Sequence, residues 1–136
     1  MLPLRYPQRW RLAGLILLLL VLVGAVMPAF WMWPDKGRIV VWIGGVDKWV
    51  HCLAFTFLAV WFAGQYRPRS YWRVAIGLLA YGLLIELIQR SISYRSAEWS
   101  DVLANVIGIL IGLAIATFGM GGWSLRFESW LETRRA

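Results

Sequence analysis

The sequence predicts an all-α membrane protein with four transmembrane helices and both termini in the cytoplasm. The chain is 60% hydrophobic over 136 residues, which leaves too few polar side chains to cover a small soluble domain. Its apolar residues are concentrated in four stretches, each close to the ~20 residues that a helix needs to cross a hydrocarbon core. Because a spanning chain must satisfy its own backbone hydrogen bonds, these stretches are expected to be helices.

The four stretches are expected to form a single domain over residues 1–136. The predicted helices cover about residues 12–30, 47–65, 72–92 and 101–118, and two adjacent glycines at 44 and 45 are expected to break the chain before the second helix. The first stretch follows three arginines and resembles a secretory signal, but its apolar run is longer than the usual signal core. We therefore interpret it as a retained membrane anchor.

The basic residues predict the orientation, because Lys and Arg are enriched in cytoplasmic loops. Nine of them lie on one side of the predicted topology, in the N-terminal segment, the loop between the second and third helices, and the C-terminal tail. The other side carries five. Both termini are therefore predicted to be cytoplasmic, and the net charge of +7 needs no nucleic-acid partner to explain it.

The C-terminal tail is predicted to form a short interfacial helix. Trp123, Phe127, Trp130 and Leu131 recur at a helical spacing, and the charged residues lie mostly between them. A helix with one apolar face and one charged face is typical of the membrane interface. The alternative is an unstructured tail.

Three short polar clusters interrupt the apolar helices. They consist of Asp47, Lys48 and His51 at the start of the second helix, Glu86, Gln89 and Arg90 near the end of the third, and Asp101 and Asn105 at the start of the fourth. Ionisable side chains are costly inside a membrane and so indicate a functional site. In the predicted topology all three clusters lie in the outer leaflet, and the rise of the helices gives them a similar depth. We therefore expect one site, open to the outer side.

Helical spacing predicts which of these side chains face the bundle. Asp47 and His51 are one turn apart and share a face, so the carboxylate can orient the imidazole. Asp101 and Asn105 lie in line with Gly108 and a second glycine one turn later, and such small residues let another helix approach closely. The fourth helix should therefore turn its polar residues toward the interior.

Each cluster also has a purely structural interpretation. Asp47 and Asp101 could cap helix N-termini, and Glu86 and Arg90 could form an intrahelical ion pair. Lys48 could extend to the headgroups. These interpretations leave several other polar groups at the same depth without an explanation.

Together the polar residues resemble the signature of the VanZ-like family. The resemblance rests on Asp47-Lys48-x-x-His51-x-x-x-Phe55, Glu86-x-x-Gln89, Arg95, and Asp101-x-x-x-Asn105-x-x-Gly108. It covers residues 47–112, with no motif position substituted. Members of that family are small bacterial membrane proteins, named after an accessory protein that raises tolerance to the glycopeptide teicoplanin. The resemblance implies a place in the bacterial plasma membrane and a role in the cell envelope, and it defines no reaction.

The first of three candidate functions is binding of an envelope component. An outward-facing pocket rimmed by Lys48, Arg90 and Arg95 would bind an anionic membrane lipid or a lipid-linked precursor, because guanidinium groups suit phosphate and carboxylate. Glu86, His51 and Asn105 would form the floor of the pocket, and Gln89 and Asp101 are also assigned to the binding site.

The second candidate is an intramembrane hydrolase or transferase. His51, oriented by Asp47, would be the general base, and Glu86 would be the acid or a second base. In the third candidate the clusters form only an interhelical hydrogen-bond network, and the protein acts by assembling with a partner.

No cofactor and no metal site is predicted. A metal held by Asp47, His51 and Glu86 would have a single histidine and no tight ligand spacing. Cys52 follows His51 directly but is turned about 100° away on the helix, so no cysteine nucleophile lies beside the cluster.

Overall fold

The protein is a bundle of α-helices. The computed structural model describes residues 1–26, 36–91 and 99–134, and within α2 it describes the side chains from residue 48 onward. The helices in these ranges are α1 (Pro7–Val26), α2 (Lys36–Ala63), α3 (Tyr71–Arg90), α4 (Trp99–Ile115) and α5 (Trp123–Thr133). A 3₁₀ turn, Pro68–Ser70, precedes α3, and a π-helical turn, Ala116–Met120, extends α4. No β-strand occurs in the described ranges, so the all-α prediction is confirmed.

Three helical segments are long and apolar enough to cross a membrane. They are Pro7–Val26, Pro68–Arg90 and Trp99–Met120. A shorter apolar segment, Lys48–Ala63, forms the second half of α2. Many large apolar side chains on these helices are exposed, as expected of a surface that faces lipid.

The main difference from the predicted boundaries concerns α2. Its backbone is helical from Lys36 and passes through Gly44 and Gly45, so the prediction that the glycines break the chain was wrong. Glycine costs about 1 kcal/mol per residue in a helix interior. Leaving a backbone group unsatisfied in apolar surroundings costs several kcal/mol, so continuing the helix is favoured. The predicted end of the first helix, at residues 27–30, lies outside the described residues.

α2 and α4 approach closely and run parallel. A methyl group added at Gly108 would lie 2.3 Å from the carbonyl oxygen of Cys52, and one at Gly112 would lie 2.5 Å from that of Thr56. Real methyl contacts are longer than this, so the two glycines let the backbones of the helices touch. The prediction that the glycine stripe of α4 faces another helix is therefore confirmed.

α1 and α3 form a second parallel pair. The hydroxyl of Tyr81 donates a hydrogen bond to the carbonyl of Leu18, and the side-chain amide of Gln89 donates to the carbonyl of Ala25. The apolar core lies between the two pairs. It contains Phe55, Leu58, Ala59, Val74, Leu78, Ile85 and Ile109.

The N-terminal segment and α5 meet at one end of the bundle. Glu128 on α5 accepts hydrogen bonds from the backbone N–H groups of Arg5, at 2.8 Å, and Tyr6, at 3.2 Å. It also accepts one from the indole N–H of Trp10, at 2.8 Å. Arg5 in turn forms an ion pair with Glu132. A carboxylate from α5 therefore stabilises the N-terminus of α1, where an anion is favoured.

Candidate functional site

Three buried polar side chains from three different helices converge at the other end of the bundle. His51 on α2, Glu86 on α3 and Asp101 on α4 each contribute one nitrogen or oxygen atom, and these atoms lie within 4.8 Å of one another. The exposed fractions of the three residues are 6%, 4% and 4%. With the neighbouring Asn105 they form one group, called the polar cluster below.

The buried faces of the helices explain why these side chains meet. His51 lies one turn before Phe55, which is part of the core, and Glu86 directly follows the buried Ile85. On α4 the buried residues follow a helical spacing from Asp101 through Asn105 to the close contact with α2. The polar residues therefore extend the same faces that pack in the core, and they are held at the points where those faces approach the bundle end.

Asn105 determines the orientation of His51. The Nδ1 atom of the imidazole lies 3.0 Å from Oδ1 of Asn105, and both side chains are buried. A carbonyl oxygen carries no hydrogen, so Nδ1 is the protonated nitrogen and donates to it. The lone pair of the neutral ring is then on Nε2. The side chain of Asp47, the orienting group predicted from the sequence, lies outside the described residues.

Two buried amide groups have an atom with no hydrogen-bond partner among the described residues. These atoms are Nδ2 of Asn105 and Oε1 of Gln89. Asn105 is only 1% exposed, so its N–H₂ group has no access to bulk water. A buried donor left without an acceptor costs about 1–3 kcal/mol. A bound molecule that offers an oxygen atom would remove this cost.

Gln89 also connects the site to α1. Its Nε2 donates to the backbone carbonyl of Ala25 at 2.9 Å, across the contact between α3 and α1. Gln89 was predicted to bind a ligand. The observed contact uses its amide nitrogen, Nε2, to join α3 to α1. Its Oε1 atom has no hydrogen-bond partner within the described part of the chain.

The predicted basic rim is only partly described. Lys48 is half-buried one turn before His51, and Arg90 is exposed one turn after Glu86. By helical rise, Lys48 lies about 4.5 Å nearer the end of the bundle than His51, and Arg90 lies about 6 Å nearer it than Glu86. The guanidinium of Arg90 lies 5.6 Å from the ring centre of Trp99, at the start of α4. Arg95 lies outside the described residues.

One contributor to the site was not found by sequence reasoning. Gly82 lies one turn before Glu86, and a methyl group there would lie 3.1 Å from Nδ2 of Asn105 and 3.2 Å from the ring of Phe55. The absence of a side chain at Gly82 makes room for Asn105 against α3. The sequence carried one signal for the role of Gly82, because Gly82 and Glu86 are four residues apart and therefore lie on the same face of the helix.

A helical bundle with an apolar exterior is typical of a membrane protein, and this bundle brings buried ionisable side chains from three helices together at one end. The chain belongs to the VanZ/LLP1 family, whose model matches residues 5–120. This match spans all members of the polar cluster, and it confirms the family indicated by the motif. Neither the curated proteins nor the solved structures contain a significant match.

Proposed function

We propose that this VanZ/LLP1-family protein binds the anionic headgroup of a lipid, or of a lipid-linked envelope precursor, in an outward-facing pocket of the bacterial plasma membrane. The observation that carries the proposal is the buried convergence of the polar cluster in an apolar bundle. Interhelical hydrogen bonds in membranes contribute only about 0.6 kcal/mol on average, so stability is a weak reason for such a cluster. A polar ligand accounts for it better.

The orientation of the pocket follows from four membrane crossings with both termini in the cytoplasm. α2 has 28 residues, which gives a length of about 42 Å, enough to cross a bilayer beside its parallel neighbour α4. The N-terminal segment and α5 lie at the same end of the bundle, as an even number of crossings requires. The excess of basic residues at that end favours a cytoplasmic position for it. The polar cluster, at the opposite end, then faces outward.

The charges around the cluster favour an anion on its outer side. Lys48 and Arg90 lie nearer the membrane surface than the buried carboxylates, at the level where a phosphate group would sit. Trp99 beside Arg90 suits the same headgroup region. The N–H₂ group of Asn105, which has no hydrogen-bond partner among the described residues, would supply a donor in the floor of the pocket. The envelope role, including a contribution to tolerance of teicoplanin-type glycopeptides, rests on the family alone.

A second candidate is an intramembrane hydrolase or transferase, and the tautomer of His51 favours it. With Nδ1–H donated to Asn105, Nε2 can accept a proton as a general base. Glu86 lies close enough to act as the acid. Water or a substrate hydroxyl would be the nucleophile.

Lipid retention tests the binding function. The wild type, His51→Gln and Arg90→Gln are purified in mild detergent, and the co-purifying lipids are identified by native mass spectrometry. We expect the wild type to retain an anionic lipid and both variants to retain at least about tenfold less, because each loses a hydrogen-bonding or positively charged group worth ~1.5–3 kcal/mol. Arg69→Gln, the same change at an exposed position of the 3₁₀ turn, is the matched control and should behave as the wild type.

Membrane abundance and teicoplanin sensitivity are measured on the same variants. Normal abundance with lost lipid supports a binding site. Loss of abundance in both variants supports the alternative in which the cluster only holds helices together. A lipid product made by the wild type but not by the variants would favour the enzyme. Unchanged lipid retention and sensitivity in both variants would overturn the proposal.

A further inference from the structure

We propose that His51, Glu86 and Asp101 bind one divalent transition-metal ion of the zinc or manganese class, and that this ion contacts the phosphate of the headgroup. The contact with phosphate rests on the proposed function. The metal site itself does not, because it follows from the donor atoms and their positions.

The three donors are the right types at workable distances. Zinc is held by imidazole nitrogen and carboxylate oxygen, and manganese accepts the same set. If the donor atoms formed an equilateral triangle at the 4.8 Å limit, a central ion would lie about 2.8 Å from each. Movement of each donor by about 0.6–0.8 Å reaches the ~2.0–2.2 Å of zinc–nitrogen and zinc–oxygen bonds.

The hydrogen bond between His51 and Asn105 is typical of the surroundings of a metal ligand. Histidines that bind metals usually donate the other ring N–H to an oxygen, which fixes the tautomer and orients the lone pair. His51 donates through Nδ1 to Asn105, so its lone pair is on Nε2. This observation is independent of the carboxylates, and it selects the form of the ring that can bind a metal.

The unpaired donor of Asn105 indicates what completes the coordination. Three protein ligands leave at least one position of a zinc ion open. An oxygen at that position, from water or from phosphate, could accept a hydrogen bond from the buried Nδ2 of Asn105. The same amide would then orient the imidazole through its oxygen and the bound oxygen through its nitrogen.

A divalent ion also reconciles the cluster with an anionic ligand. Glu86 and Asp101, when ionised, carry charge of the same sign as a phosphate, and a divalent ion between them would place two positive charges next to the headgroup. Lys48 and Arg90, which lie nearer the surface, would then contact the outer oxygens of the same headgroup.

The test uses the full chain, purified with a histidine-free affinity tag, treated with a chelator and titrated with zinc chloride by calorimetry. We expect one zinc per chain, and at least about a hundredfold weaker binding in Glu86→Gln and in Asp101→Asn. Asn105→Ala should weaken binding about 10–100-fold, as loss of an outer partner does. Cys52 follows His51 directly and is the only cysteine in the sequence, so Cys52→Ser serves as a control. This variant should bind zinc as tightly as the wild type.

X-ray absorption at the zinc edge identifies the ligands of zinc bound to the wild type, so this measurement does not depend on whether the variants fold. The chain has one histidine, so a bound zinc should have a single imidazole ligand and oxygen in its remaining positions. A coordination sphere without imidazole, no binding at micromolar zinc, or undiminished binding in both carboxylate variants would overturn the metal site.

The two proposals fail separately when lipid retention is repeated after chelation. Retained anionic lipid in protein that binds no zinc would refute the ion and leave the headgroup site. Normal zinc binding without any retained anionic lipid would refute the headgroup site and leave the ion.

Discussion

Alanine in place of Gly108 is expected to destabilise the folded protein by about 1–3 kcal/mol, the usual cost of overpacking a closely packed contact. The added methyl group would lie 2.3 Å from the carbonyl oxygen of Cys52, and a backbone atom cannot move away alone. α2 and α4 would have to separate along their whole contact. Since alanine is the better helix former by about 1 kcal/mol, the clash must exceed that gain.

Gly77→Ala provides the matched control, because it is the same substitution in a neighbouring helix. A methyl group at Gly77 meets nothing within 4 Å, so this variant should be as stable as the wild type or up to about 1 kcal/mol more stable. Each variant is purified, and its thermal midpoint is determined from the fraction of protein that stays monodisperse after heating. Equal midpoints for the two variants would mean that α2 and α4 are not in backbone contact.

Replacing Glu128 with Gln is expected to produce the second large loss of stability, about 1.5–3 kcal/mol, the contribution of hydrogen bonds to a charged group. Glu128 accepts bonds from the amides of Arg5 and Tyr6 and from the indole of Trp10. Glutamine has one acceptor oxygen in place of two, so at least one of these donors loses its partner. Glu132→Gln, which removes only the exposed ion pair with Arg5, should cost at most about 1 kcal/mol.

The same carboxylate predicts a dependence on pH. Burial alone would raise the pKa of Glu128, but the hydrogen bonds from Arg5, Trp10 and Tyr6 outweigh it, and the pKa lies below its ordinary value of 4.5. A group with a lowered pKa in the folded state contributes stability above the unfolded pKa and loses it as the pH falls through the folded pKa.

Acid unfolding measured below pH 4.5 checks this expectation. The wild type should lose stability more steeply than Glu128→Gln as the pH falls, since the variant has no carboxylate at this position to protonate. Parallel stability curves for the two proteins between pH 7 and pH 3 would contradict the role of Glu128.

The sequence predicted the parts of the fold that depend on local pattern. Apolar stretches of spanning length gave the helices, and Gly108 one turn after Asn105 indicated the face of α4 that packs on another helix. The continuation of α2 through Gly44 and Gly45 was not predicted, because the low helix propensity of glycine favoured a break. In apolar surroundings an unsatisfied backbone group costs more than this, so the continuous helix is favoured. Local pattern could not reveal that α4 packs so closely on α2 in particular.

The site was predictable as a set of residues and less so as a geometry. His51, Glu86, Asp101 and Asn105 were selected by their cost in an apolar chain and by a common depth. The sequence did not indicate that Asn105 contacts His51, because the two residues are 54 positions apart and lie on different helices. Spacing within one helix had favoured Asp47 as the residue that orients His51. Distances between helices also explain why the sequence did not indicate that His51, Glu86 and Asp101 come together, since these residues share no short motif.

The contact of Glu128 with the start of α1 has a consequence for how the chain is assembled during synthesis. The bond joins residues 123 positions apart, so α1 is made and inserted long before its carboxylate exists. At about 5–20 residues per second, the ribosome needs roughly 6–25 s to cover that interval. Contacts this distant form late, and Glu128 reaches Arg5 only when the intervening helices have brought α5 back to the same end of the bundle. Closure of this contact therefore reports a completed bundle, and a chain in which one helix has not packed would leave the amides of Arg5 and Tyr6 without the carboxylate that they bind.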